Sequence, residues 1–150
     1  MVPSSPDRSS VAPVRAKSRT RFTRDEVIGA ALAYFNGDDL AATTWVNKYA
    51  LRDDKGQLIE STPADMHRRM ALEFARIERN YAPLAEERKA LLSTYGRERT
   101  ALDEARIFDL FDGFSDVVPQ GSVMASLGDP YRLASLSNCV VIPSPLDSYG

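Results

Sequence analysis

Cys139 is the single cysteine of the 150 residues. It sits in Ser135-Leu136-Ser137-Asn138-Cys139-Val140-Val141-Ile142-Pro143, where β-branched residues and a terminal proline predict a buried strand. A thiol delivers reducing equivalents and is regenerated by disulfide exchange. A lone buried cysteine otherwise serves as a small hydrophobe. Ser122 closes Val117-Val118-Pro119-Gln120-Gly121-Ser122, which reads as a loop. Gly121 admits close approach of a ligand, and backbone N–H groups beside a hydroxyl suit a phosphate; the plain alternative is a turn. His67 titrates near neutral pH by type. It stands beside Arg68 and Arg69 with no second histidine and no nearby cysteine, so the residues favour a structural role. One cysteine and one histidine cannot form an internal disulfide or a four-ligand structural zinc site. No Gly-rich phosphate loop and no metal-type ligand cluster occurs.

The elements that must position these side chains are mostly helical. Thr23 and Glu26 fit a capping box, followed by Val27, Ile28, Ala31, Leu32 and Phe35 at helical spacing. Asn36-Gly37 supplies a left-handed stop. Asp38 or Asp39 caps a second helix with Leu40, Ala41, Thr44, Trp45 and Tyr49 on one side, paired with the first as a hairpin. Residues 49–60 read as a small hairpin or extended turn around Gly56. Thr62-Pro63-Ala64-Asp65 starts a third helix, with Thr62 as cap and a core stripe of Met66, Met70, Phe74 and Ile77. Asp65–Arg69 is an i,i+4 pair worth ~0.3 kcal/mol. Pro83 opens a fourth helix closed by Tyr95-Gly96, and a fifth runs from about Thr100 to Phe114. Met124 to Leu133 reads as irregular, broken by Gly128-Asp129-Pro130.

Composition sets the outer bounds. The chain is 43% hydrophobic and 27% charged with net charge −2, which suits one domain with a real core and excludes wholesale disorder. No apolar run reaches membrane-spanning length, and the N-terminus shows no secretory h-region. A reducing, cytoplasmic setting is the default. Charge is unevenly spread: residues 1–24 carry six basic side chains against Asp7, a net +5, and the remainder carries −7. The Ser- and Pro-rich start has little to bury and reads as a flexible basic arm. Its plain reading is a polar tail; the functional one is contact with an anionic surface. A single strand cannot satisfy its own backbone, so the chain reads as the front end of something larger.

Residues 26–150 resemble the N-terminal region of adenosylcobalamin (vitamin B12)-dependent, class II ribonucleotide reductases. The stretches that carry the resemblance are YFNGDDLAATTWVNKYALRD, ESTPADMHRRMALEFARIE, VVPQGSVMASLG and SLSNCVVIPSPLDSYG, in this order. The resemblance implies a mainly α fold: a basic arm over 1–22, the reductase N-terminal helical domain over 23–115, and the start of a ten-stranded α/β barrel over 116–150, with Cys139 on its first strand. It implies that Cys139 is one half of the dithiol that reduces the ribose, and that Ser122, Asn138 and Cys139 hold the nucleotide. In the family, a thiyl radical on another cysteine, made by cobalamin homolysis, abstracts the 3′ hydrogen. The 2′ hydroxyl leaves as water and the dithiol becomes a disulfide. Implied partners are a ribonucleotide, the remainder of the reductase in the same or a second chain, a thioredoxin-type reductant and a second copy as a homodimer, with no membrane. The radical cysteine, the partner thiol, the cobalamin-binding region and an ATP-cone pattern are not found in these residues. The chain alone is therefore expected to be inactive. The alternatives are a separately encoded subunit of a split reductase and a non-enzymatic helical interaction module.

Overall fold

The computed structural model describes residues 20–139 and residue 141. The basic arm before Thr20 and most of the expected strand after Cys139 lie outside the described residues. Helix α1 (Arg24–Tyr34) begins at the capping box: the Thr23 hydroxyl accepts from the Glu26 amide, and the Glu26 carboxylate accepts from the Thr23 amide at 2.7 Å. It stops where Asn36 and Gly37 take φ of 53° and 89° and the Gly37 amide reaches back to the Leu32 carbonyl. Asp38 caps α2 (Asp39–Lys48), which packs against α1 as a hairpin. Its buried face is Ala42, Trp45 and Val46; Leu40 is 78% exposed. The expected stripe is thus shifted by part of a turn, because Trp45 is drawn toward the helix that begins at Pro63. There its indole N–H meets Met66 Sδ at 3.4 Å.

The 49–60 segment is an extended turn. Gly56 takes φ 78°, and Asp53 Oδ1 accepts from the Lys55 and Gln57 amides. Isolated antiparallel bridges join Leu58 to Phe22 and to Arg52.

Helix α3 (Pro63–Glu87) begins at Pro63 as expected, but Asp65 organises its start. The Asp65 carboxylate accepts from the Ser61 amide and hydroxyl and the Thr62 amide. Burial raises its pKa, but these bonds and Arg68 outweigh that and hold it below the ordinary value. Asp65 is thereby unavailable to Arg69, which turns to Glu60, so the expected Asp65–Arg69 pair does not form. Nor does Pro83 open a helix. Ala82 before it offers no cap, and Pro83 lies inside α3, where its missing N–H leaves the Arg79 carbonyl without that partner. A short 3-10 turn (Lys89–Leu91) and α4 (Thr94–Glu98) follow.

Helix α5 (Glu104–Phe111) is shorter than expected, because Asp103 rather than Thr100 supplies the cap, accepting from the Arg106 amide at 2.8 Å. It lies along α3, burying Ile107 and Phe111 against Met66, Met70, Ala71 and Ala75. Phe74, expected in the core, stays 36% exposed. The chain then turns sharply at Gly113 and Phe114, with φ of 66° and 55°.

The Val117–Ser122 segment is a loop only as far as Gln120. Gly121–Ser126 forms helix α6, so Met124 to Ser126 are helical where an irregular path was expected, while 127–133 are irregular as expected. The described residues hold no sheet, and the fold is mainly α. Residues 135–139 form no strand and are exposed. Their polar groups are spent locally: the Ser135 hydroxyl accepts from the Ser137 amide, and the Ser137 hydroxyl donates to the Cys139 carbonyl. Such bonds compete with a ladder. Among the described residues no helix is long and apolar enough to cross a membrane.

Candidate functional site

Helix α6 brings the two chemistry-bearing segments together. The Gln120 carbonyl accepts from the Val123 and Met124 amides, which places Ser122 in the first turn. Gly121 sits against Tyr49, where an added Cβ would stand 3.4 Å from the phenol oxygen. The Ser122 amide donates to Asn138 Oδ1 at 3.2 Å, and the Ser122 hydroxyl donates to the Leu136 carbonyl at 3.0 Å. The Asn138 amide nitrogen donates to Gln120 Oε1 at 2.8 Å. Ser122 and Asn138 are therefore in direct contact, and Cys139 follows as an exposed free thiol. Its exposure differs from the buried position that the apolar run predicts, since among the described residues no strand covers 135–139. Gln120, which sequence reasoning did not single out, fixes which end of the Asn138 amide faces Ser122. Its place in the Pro119-Gln120-Gly121-Ser122 run was the available signal.

The opposite end of α6 is held by Arg69. Its Nε meets Glu60 Oε1 at 2.7 Å, its Nη2 donates to the Met124 carbonyl at 3.0 Å, and its Nη1 donates to the Leu127 carbonyl. Glu60 Oε2 accepts from the Leu51 amide. Nothing local in the sequence marks this residue, because its partners lie 9, 55 and 58 positions away.

Phe74, Leu110, Phe111, Val117 and Val123 line an open apolar groove of about 390 Å³ beside Gln120. Its sole charged lining residue is Glu78, so a phosphate finds no cation there.

His67 is structural, as its neighbours in sequence suggest, but in an unusual way. It is fully buried, and neither ring nitrogen has a hydrogen-bond partner. Phe114 packs edge-on at 4.6 Å between ring centres, with Phe111 and Tyr34 near 6.3 and 6.4 Å. Asp112 Oδ1 lies 3.8 Å from Nδ1, beyond hydrogen-bond range, and is instead bonded by the Tyr34 phenol. Burial lowers the His67 pKa below its ordinary 6.5, against the opposing pull of Asp112. The unfolded chain therefore takes up the proton first. His67 contributes full stability above pH 6.5 and loses it as pH falls through the lower folded pKa. His67→Phe is expected to remove that part of the acid sensitivity and to stay within about 1.5 kcal/mol of the parent at neutral pH, because no hydrogen bond is lost. Urea midpoints at pH 7.5 and 5 measure this; equal pH slopes in parent and variant would refute it.

The described residues contain no group of three side chains able to hold a metal ion. The family model of the ribonucleotide reductase all-alpha domain matches residues 35–130, from the end of α1 to the loop after α6. No curated protein and no solved structure matches. The matched span takes in the helices that carry Arg69 and Ser122 and the Gln120 cap between them, and with well over half of the chain inside it, the protein belongs to the ribonucleotide reductase family through that all-alpha domain.

Proposed function

We propose that the chain is the N-terminal portion of an adenosylcobalamin-dependent ribonucleotide reductase, an oxidoreductase that makes deoxyribonucleotides for DNA synthesis. What carries this reading is the clasp between Ser122 and Asn138, which joins the PQGS and SLSNC segments beside the one thiol of the sequence. Ribose reduction releases the 2′ hydroxyl as water and draws two electrons and two protons from a dithiol, which closes to a disulfide. Cys139 supplies one thiol. The other comes from the remainder of the reductase, in the same or a second chain. A thioredoxin-type reductant in a reducing cytoplasm reopens the disulfide.

Ser122 and Asn138 hold the nucleotide through its phosphate or ribose. The Ser122 hydroxyl proton is already given to the Leu136 carbonyl. A phosphate oxygen must take it over, and the exchange is favourable because a charge-assisted bond is stronger than a neutral one.

The residues described here do not fit a cobalamin seat. His67, the sole imidazole, is enclosed by aromatic rings, and Cys139 is committed to the dithiol. The cobalamin class rests on the four-motif resemblance, and no step is derived through the cofactor. The test is reconstitution of the chain with the remainder of the reductase. Product formation is expected to require adenosylcobalamin, and the chain alone is expected to give none above a no-protein control. Full turnover without adenosylcobalamin would overturn the cobalamin class and leave the family standing. Turnover by the chain alone would overturn the assignment of its active site.

A further inference from the structure

Helix α6 has too little of its own to stand on. It spans six residues, and its N-cap Gln120 makes no side-chain capping bond. Helices of this length are unstable in water without tertiary support. The Met124 and Leu127 carbonyls at its C-terminal end are both taken by the Arg69 guanidinium, whose side chain is only 8% exposed. Glu60 holds the plane of that guanidinium from the other side and is itself fixed by the Leu51 amide. Gly128, at φ 74°, lets the chain leave α6 against the Arg69 shaft; a Cβ there would stand 3.0 Å from Arg69 Cγ. One fork thus joins the 51–60 turn and α3 to the helix whose first turn carries Ser122.

We propose that Arg69 is a positioning residue for nucleotide contact: by holding the C-terminal carbonyls of α6 it keeps Ser122 in register with Asn138 at the other end. This rests on the reading of Ser122 as a nucleotide contact. Lysine cannot replace arginine here. A single ammonium is a point donor, whereas Arg69 addresses a carboxylate and two carbonyls in a fixed plane.

The experiment pairs amide hydrogen exchange on the 150-residue chain with kinetics of the reconstituted reductase, using CDP and CTP as probes. In Arg69→Lys, exchange of the Met124 and Leu127 amides is expected to rise about tenfold or more, while the Trp45, Val46 and Met70 amides stay within about twofold. KM for the nucleotide is expected to rise about tenfold with kcat little changed, the mark of lost positioning rather than lost chemistry. Gly128→Ala leaves Glu60 and Arg69 unsubstituted, sets a Cβ against the Arg69 shaft and is expected to give the same pattern, so the proposal stays testable if Arg69→Lys does not fold. Parent-level protection of α6 in both variants overturns the proposal, as does a uniform rise across the core, which would mark Arg69 as a general stabiliser. Ser122→Ala separates the two ideas. If it leaves KM unchanged, the nucleotide reading fails, while the exchange data still decide whether Arg69 holds α6.

Discussion

In a reconstituted full-length reductase, Cys139→Ser is expected to abolish multiple-turnover deoxyribonucleotide formation while nucleotide affinity changes by less than ~1 kcal/mol, about the net value of one ordinary hydrogen bond. Serine keeps the approximate shape of the side chain but cannot form the disulfide that closes each reduction. On the proposed reading the thiol supplies electrons rather than affinity. Its exposure also means that no packing is lost on substitution. The measurement is product yield beside substrate affinity for parent and variant. Normal turnover by Cys139→Ser would remove Cys139 from the redox chemistry and return it to the status of an ordinary surface residue.

Ser122→Ala has the opposite profile. On the proposed reading the hydroxyl donates to a phosphate, and its loss is expected to weaken nucleotide binding by roughly 1.5–3 kcal/mol, the range for a hydrogen bond to a charged group. The variant also frees the Leu136 carbonyl, but that group is exposed and water replaces the lost donor at little cost. The dithiol is untouched, so product formed per bound nucleotide is expected to hold. Isothermal titration of each variant, set against single-turnover yield, separates a redox role at Cys139 from a holding role at Ser122. Equal affinity in Ser122→Ala and parent would show that the hydroxyl serves only the fold.

Much of the helical frame was legible because its signals are local. The Thr23–Glu26 box, the Asn36-Gly37 stop, the Asp38 cap and Pro63 at a helix start act between residues at most five positions apart. Spacing along the chain therefore specifies them whatever surrounds them. Pro83 shows the limit of such signals. Pro63 starts a helix with Asp65 bonding back to Ser61 and Thr62, whereas Pro83 has helical sequence on both sides to carry the lost bond. The 135–139 segment shows another. Its polar side chains bond within the segment, which the β-branched neighbours at 140–142 do not register, and that run lies largely outside the described residues.

By itself the sequence determined the start and stop of α1, the starts of α2 and α3, the turn at Gly56 and the family-bearing motifs. Only the tertiary structure decided which of these meet. Ser122 reaches Asn138 across 16 residues, and Arg69 reaches Met124 and Leu127 across 55 and 58. It also decided that Leu40 faces outward and that His67 is sealed among aromatic rings without a partner. The reason is physical. Caps and turns are satisfied within one loop of backbone, whereas the partner of a buried guanidinium or imidazole is whatever the packing of α1, α3, α5 and α6 leaves beside it.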